Sequence, residues 1–214
     1  ARQSHAHGQH AHGDHGDLHA PGHRRDFSDV ERWSAIFDAP DRDAWQRPGH
    51  VIELMAIERG MTVADLGAGT GYFLPHLAAA VGADGRVYGL DVEESLVNHM
   101  RERAEAAELR QVKAQLAPRD GLGLAPSSLD RLLIVNVWHH LDDRPNYAKH
   151  IGEMLKEGGK VVVVDYTRES EQGPPPKHRL SAERVIAELE AGGLQAEVVE
   201  EELPRQYVVV ASLP

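Results

Sequence analysis

The sequence predicts an α/β fold, a Rossmann-like sheet of mostly parallel strands with helices on both faces. Beyond Met61, short β-branched or aliphatic runs alternate with longer helical stretches, as in βαβ units on a parallel sheet. One of these runs leads directly into a glycine-rich loop. The last two runs are joined by a short link around Pro204, which favours an antiparallel hairpin over a crossover.

The periodicity places the elements in regular alternation. Strands are expected near residues 62–66, 86–90, 111–116, 130–136, 160–165, 196–201 and 206–212. Helices are expected near residues 71–81, 93–107, 144–155 and 181–191, with two more at 29–37 and 48–58. These elements predict one domain over residues 61–214, preceded by a helical segment at 26–60 and a histidine-rich flexible tail at 1–25.

The amino-acid composition disfavours several classes of function. The 214 residues are 41% hydrophobic, enough for one domain with a sizeable core. A formal charge of -11 disfavours a nucleic-acid partner, and no apolar run approaches the roughly 20 residues that span a bilayer. The absence of cysteine excludes disulfides and thiolate chemistry. We therefore expect a small-molecule substrate; the sequence does not indicate the oligomeric state.

The glycine loop indicates the ligand. Three glycines let the backbone turn tightly and approach a ligand closely: Gly67, Gly69 and Gly71. A dinucleotide dehydrogenase would carry its third glycine where this chain has Tyr72. Asp65, before the first glycine, would repel a pyrophosphate but can accept hydrogen bonds from an ammonium group. The loop therefore favours a nucleoside that bears an amino acid, and disfavours a nicotinamide oxidoreductase.

A second carboxylate follows the next strand. Asp91 lies about twenty residues beyond the loop, where an acid can accept hydrogen bonds from both ribose hydroxyls. Asp91 and the adjacent Val92 are therefore predicted to contact the cofactor, and so is Tyr72 in the glycine loop. The alternative is that Asp91 only caps the helix that starts near Glu93.

These residues resemble the class I S-adenosylmethionine-dependent methyltransferases over about residues 45–212. The segments 173–176 and 203–207 resemble a group of small, uncharacterised predicted methyltransferases. The resemblance implies that S-adenosylmethionine is the cofactor, with Asp65 near its methionine amine, the three glycines along its methionine part and Asp91 on its ribose. It also implies the strand order 3-2-1-4-5-7-6, with the seventh strand antiparallel.

The fourth strand and its following loop resemble those of small-substrate members of this superfamily. Asn136 is expected to contact the cofactor or substrate through its amide. His139 and His140 are candidates for acid-base catalysis, because histidine titrates near neutral pH. Adjacent side chains diverge, so at most one ring is expected to face the methyl acceptor; the alternative is that both only pack.

Two further catalytic candidates follow the fifth strand. Tyr166, beside Asp165, ends this strand on the rim where open α/β sheets bind ligands. His178 lies in the proline-rich connection 173–179, which is also consistent with a solvated loop. For both tyrosine and histidine, an ordinary structural role is the alternative.

The N-terminal residues carry two more hypotheses. Aromatic and amide side chains of the helical segment are predicted to form a lid over the cofactor, or only to anchor its helices: Trp33, Phe37, Trp45 and Gln46. Histidines of the tail can bind zinc, nickel or copper weakly, and otherwise form a solvated linker: His5, His7, His10, His12, His15, His19 and His23.

The function expected is methyl transfer to a small or lipophilic acceptor, through oxygen, nitrogen, sulfur or carbon, with no metal in the reaction. The alternative is a non-catalytic protein with the same cofactor fold, whose tail binds metal or a partner. Supply of S-adenosylmethionine favours the cytoplasm, whereas a signal removed before Ala1 would suit an exported protein.

Overall fold

The computed structural model describes residues 29–201 and 203–214. The strands are β1 (Thr62–Leu66), β2 (Arg86–Asp91), β3 (Val112–Leu116), β4 (Leu129–Val135), β5 (Leu155–Tyr166), β6 (Gln195–Val199) and β7 (Gln206–Ser212). The helices are α1 (Val30–Phe37), α2 (Arg42–Gln46), α3 (Pro48–Leu54), α4 (Leu74–Val81), α5 (Glu94–Ala106), α6 (Arg144–Met154) and α7 (Ala182–Ala191).

The seven strands form one sheet in the order β3-β2-β1-β4-β5-β7-β6. The first five strands of this order pair in parallel, whereas β7 is antiparallel to both β5 and β6. The predicted topology and the C-terminal hairpin are therefore confirmed.

Helices cover the sheet on both faces. Along β4, Leu132 and Ile134 belong to one hydrophobic cluster, whereas Leu133 and Val135 belong to another. Successive side chains of a strand point to opposite faces, so each cluster fills one side of the sheet. This accounts for the nearly continuous apolar runs of the central strands.

Several element boundaries differ from the prediction. The helix expected from residue 71 begins at Leu74, because the left-handed Gly71 (φ +82°) lies in a turn and Pro75 suits the first turn of α4. Helix α3 ends at Leu54 rather than 58, and β5 begins at Leu155 rather than 160. The strand expected at 196–201 is shorter, and α2 was not predicted.

The third helix is fastened to the sheet by Arg131 of β4. Its buried guanidinium donates hydrogen bonds to the carbonyl oxygens of Met55 and Ala56, just beyond the end of α3. These carbonyls are among those that a helix end leaves unsatisfied. Within the described residues, no helix combines the length and apolar character needed to cross a membrane.

Candidate active site

The candidate site lies where the carboxyl ends of β1, β2, β4 and β5 meet, at the point where the strand order reverses. Gly67 has φ +68°, and a Cβ there would lie only 2.5 Å from the Cγ2 atom of Val137. Glycine is thus required both by the backbone conformation and by the close approach of the turn after β4. The loop and that turn form one continuous surface.

Asp91 is tied directly to the glycine loop. Its Oδ2 atom accepts a hydrogen bond from the amide of Gly69 at 2.9 Å, and Oδ1 accepts one from the amide of Glu93 at 3.0 Å. The carboxylate therefore joins the loop to Glu93, the residue that precedes α5. Burial raises the pKa of Asp91, against the backbone hydrogen bonds that lower it. Val92, next to it, is 38% exposed.

Asp65 is a buried carboxylate at the end of β1, only 3% exposed. Burial raises its pKa to about 7, and the positive charge of Arg42 opposes this shift. Among the described residues, no ion pair or hydrogen bond joins Asp65 to Arg42, whose guanidinium donates to the carbonyl oxygen of Phe37 instead. Arg42 therefore affects the pKa of Asp65 through its charge alone.

Arg42, which the sequence analysis did not single out, lies at the centre of the site. Its guanidinium is 3.8 Å from the ring centroid of Tyr72 and donates to the carbonyl oxygen of Phe37 at 2.5 Å. Burial lowers the pKa of Arg42, although Tyr72, Asp65, Tyr166 and Asp38 act in the opposite direction. Its Nε atom is buried and has no hydrogen-bond partner among the described residues.

Tyr72 is held against the second helix. Its ring lies under Arg42, and its hydroxyl donates a hydrogen bond to Asp43 of α2. Burial and the hydrogen bond to Asp43 raise the pKa of the Tyr72 hydroxyl. The residue that distinguishes this loop from a dinucleotide site therefore contacts the N-terminal helices, while its contact with a cofactor stays a prediction.

The first helix is fastened to the glycine loop by Asp38. Its two carboxylate oxygens accept hydrogen bonds from the Thr70 hydroxyl at 3.1 Å and from Arg103 at 2.9 Å. Arg103 also donates to the carbonyl oxygen of Thr70 at 2.8 Å. A Cβ at Gly69 would lie 3.3 Å from the ring of Phe37, so α1 rests directly on the loop.

A chain of side-chain amides links the second helix to the end of β4. Gln46 donates from Nε2 to Oε1 of Gln206, and Gln206 donates from Nε2 to Oδ1 of Asn136, each at 2.7 Å. Gln46 is fully buried. Asn136 adopts the left-handed conformation (φ +58°), and its backbone amide donates to Val164 at 2.8 Å. Sequence reasoning identified Asn136 and Gln46 but not Gln206, which lies 70 residues beyond Asn136.

His139 forms a buried pair with Asp165. Its Nδ1 atom is 2.9 Å from both carboxylate oxygens, and the two side chains are 4% and 3% exposed. His140 is exposed, and its ring centroid lies 4.1 Å from that of His139, so the two rings lie side by side and do not diverge as expected. The short 3-10 helix Trp138–His140 brings them together.

Trp138 anchors this turn from below. Its indole Nε1 donates to the buried carboxylate of Glu188 at 3.0 Å. Arg144 and Arg184 also donate to Glu188, which lowers the pKa of this carboxyl despite its burial. The turn that carries His139 is therefore fixed to both α6 and α7.

Tyr166 lies between the second helix and the loop that follows β5. Its ring centroid is 6.2 Å from that of Trp45, and a Cβ at Gly173 would lie 2.7 Å from its ring. Buried Arg179 donates to five carbonyl oxygens of the loop, those of Pro174, Thr167, Arg168, Ser170 and Gln172. The loop is thus bonded internally through Arg179, although several of its residues are exposed.

The roles proposed for two further groups of residues stay predictions. His178 lies in the 3-10 helix Pro176–His178, and its catalytic role stays a prediction. The proposed metal-binding histidines of the tail lie outside the described residues: His5, His7, His10, His12, His15, His19 and His23. Among the residues that the structure does describe, no group of three or more histidine or acidic side chains is arranged to hold a metal.

The geometry agrees with comparisons to known proteins. A family model described as a methyltransferase domain matches residues 57–202, more than half of the chain. The chain belongs to this family. The methyltransferase domain is 30% identical over 122 residues to demethylmenaquinone methyltransferase of Bacillus mycoides (strain KBAB4), which covers 57% of this chain and 51% of that protein. The enzyme of the same name from Lactococcus lactis is 29% identical over 142 residues, 64% of this chain and 54% of that protein.

A solved structure matches over a larger share of the methyltransferase domain. A SAM-dependent methyltransferase from Aquifex aeolicus has a TM-score of 0.80 and 27% identity, over 88% of this chain and 98% of that one. The chain nevertheless spans about half the length of the curated relatives it matches. Membership of the S-adenosylmethionine-dependent methyltransferases, predicted from the glycine loop, is confirmed.

Proposed function

We propose that the protein transfers a methyl group from S-adenosylmethionine to a small or lipophilic acceptor. The observation that carries this proposal is the pair of opposite charges at the buried Asp65, before the glycine loop, and the half-buried Arg42 of α2, whose charge acts on Asp65 without a direct contact. When bound, the cofactor supplies a methyl group on a positively charged sulfur, and S-adenosylhomocysteine remains after transfer. The protein supplies alignment and exclusion of water.

The residues of the site fit this cofactor. A zwitterionic methionine end would place its ammonium on Asp65 and its carboxylate on Arg42, so that each buried charge gains a partner. Each oxygen of Asp91 accepts one backbone amide and keeps lone-pair capacity for a ribose hydroxyl. The exposed Val92 offers an apolar contact for the base.

We further propose that α1 and α2 are a lid over the cofactor. Phe37 covers Gly69, Asp38 binds Thr70, and Gln46 is linked through Gln206 to Asn136. Water exclusion strengthens electrostatic interactions inside a site. Both interpretations of the tryptophans are compatible with this, because Trp33 packs on Phe37 whereas Trp45 faces Tyr166.

The acceptor side of the site has an aromatic and cationic lining. Trp45 packs near Tyr166, and the guanidinium of Arg205 lies 4.9 Å from the Trp45 ring centroid. Flat apolar molecules stack favourably on such surfaces. The acceptor named in the two curated relatives, demethylmenaquinone, is also lipophilic.

A screen for S-adenosylhomocysteine release tests the proposal. The protein is incubated with S-adenosylmethionine and representative phenols, quinols, thiols and amines, beside an Asp65→Ala variant and an Asp84→Ala variant that alters an exposed loop. Release is expected with at least one acceptor class for the natural protein and Asp84→Ala, and at least tenfold less for Asp65→Ala. Cofactor binding without release for any acceptor would instead favour a non-catalytic binding protein.

A further inference from the structure

We infer that the acceptor carries an ionisable hydroxyl group and that Nε2 of His139 takes its proton. This inference rests on the proposed function and adds the chemical class of the acceptor. It depends on the buried contact between His139 and Asp165, on the position of their turn, and on the way that turn is fixed.

The contact with Asp165 determines which nitrogen can act as a base. Nδ1 of His139 lies 2.9 Å from both carboxylate oxygens, so Nδ1 carries the proton and donates it. Nε2 is then the unprotonated nitrogen, because both hydrogen bonds described for the His139 ring involve Nδ1. An acidic partner on one ring nitrogen also stabilises the cation that forms when the other takes up a proton.

The turn that carries His139 is adjacent to the proposed cofactor site. Val137, two residues before His139, fills the space where a Cβ of Gly67 would lie. Asp165 precedes Tyr166, whose amide donates to the Asp165 carboxylate at 2.8 Å and whose ring lies near Trp45. The turn that carries His139 therefore contacts the glycine loop, and the carboxylate partner of His139 directly precedes a residue of the aromatic lining. We place the reacting atom of the acceptor between these two features.

The turn is also rigid. Trp138 is fully buried and bonds to Glu188, and the ring of His140 lies beside that of His139. A base is effective only when it is held within hydrogen-bond reach of the proton that it removes. Burying polar or charged groups is costly. If His139 and Asp165 only filled space, apolar side chains would do so at a lower cost in free energy.

The proton step balances without a further reactant. The O–H bond of the acceptor breaks, its electron pair stays on oxygen, and the proton bonds to Nε2 of His139. The resulting imidazolium lies against the Asp165 carboxylate. A phenol with a pKa of about 10 is about 1% ionised at pH 8. A positioned base should therefore raise the rate of methyl transfer to it about 100-fold or more. A thiol, with a pKa of about 8.5, gains much less.

A series of acceptors of graded acidity tests the inference. Methyl transfer is measured at pH 8 with phenol, an electron-poor phenol that is already ionised, and thiophenol. The proteins compared are the natural chain, His139→Gln and a control, His150→Gln, which alters an exposed histidine bonded to Asp120. Cofactor affinity and near-ultraviolet circular dichroism of each variant report that the fold is intact.

We expect His139→Gln to lose about 100-fold or more in the rate of methyl transfer to phenol, but less than about tenfold with the two more acidic acceptors. His150→Gln should match the natural protein with all three. The inference would be overturned if His139→Gln lost the same factor in rate with every acceptor. It would also be overturned if the natural protein methylated thiophenol but neither phenol, a result that would leave the proposed function standing. Failure of all acceptors, or of cofactor binding, would count against the proposed function itself.

Discussion

Cofactor affinity should weaken as the pH falls below about 7, because Asp65 must be ionised to receive an ammonium group. Burial raises the pKa of Asp65 to about 7 in the free protein. A bound ammonium group favours the ionised carboxylate, so the pKa of Asp65 is lower in the complex than in the free protein. As the pH falls from the higher to the lower of these two pKa values, cofactor affinity is lost. Lowering the pH from 7.0 to 5.5 should weaken binding about 16-fold, or about 1.6 kcal/mol.

Isothermal titration calorimetry measures this effect in two ways. Affinities at several pH values give the slope, and titrations at pH 6.0 in buffers of different ionisation enthalpy should show release of about 0.9 proton per cofactor. Asp65→Asn should bind more weakly and lose most of this dependence, whereas His150→Gln should keep it. Constant affinity from pH 5.5 to 7.0 without proton release would refute the assignment of Asp65 to the ammonium group.

Three substitutions test other parts of the site. Arg42→Met should weaken S-adenosylmethionine binding about 10- to 100-fold, whereas Arg42→Lys, which keeps the positive charge, should weaken it less. If calorimetry gave both variants the affinity of the natural protein, Arg42 would not bind the carboxylate of the cofactor. Trp138→Phe should lower turnover about tenfold without changing cofactor affinity, because it removes the indole hydrogen bond to Glu188. The control variant Arg184→Gln should keep the turnover of the natural protein. Equal turnover of the two variants would show that the indole does not position the turn. Gly67→Ala should destabilise the folded protein by about 1–3 kcal/mol more than Gly60→Ala, because both positions have positive φ but only Gly67 is crowded. Thermal unfolding of the two variants measures this difference, and equal melting temperatures would contradict the prediction.

The sequence was most informative where one short segment contains the whole signal. Asp65, the three glycines and Asp91 follow two consecutive strands, and their order alone predicts the crevice and the family. The C-terminal hairpin was predicted for the same reason, because the short link around Pro204 allows only a tight connection.

Residues that act across the fold were harder to recognise. Arg42 lies in a helix of five residues, too short for a periodic pattern to show, and its charge acts on Asp65 only in the folded chain. Asp165 was noted as a rim residue, yet its pairing with His139, 26 residues earlier, depends on the adjacency of β4 and β5. Gln206 lies in the segment 203–207, but nothing in that segment indicated its hydrogen bonds to Gln46 and Asn136.

Boundary errors have local causes. Helix α4 starts after the predicted residue because three positive-φ glycines delay regular hydrogen bonding until Leu74. Strand β5 begins early at Leu155, which pairs with Leu129 ahead of a shift in register between Leu129 and Arg131. Such irregular pairing leaves no alternation of polar and apolar residues to read.

Calorimetric titration with S-adenosylmethionine and S-adenosylhomocysteine tests the central claim most directly. The protein should bind either ligand at one site per chain, and Asp91→Ala should weaken both by removing the proposed ribose contact. Absence of binding at millimolar ligand would contradict the account, because the glycine loop, Asp65 and Asp91 would then hold no cofactor of this kind.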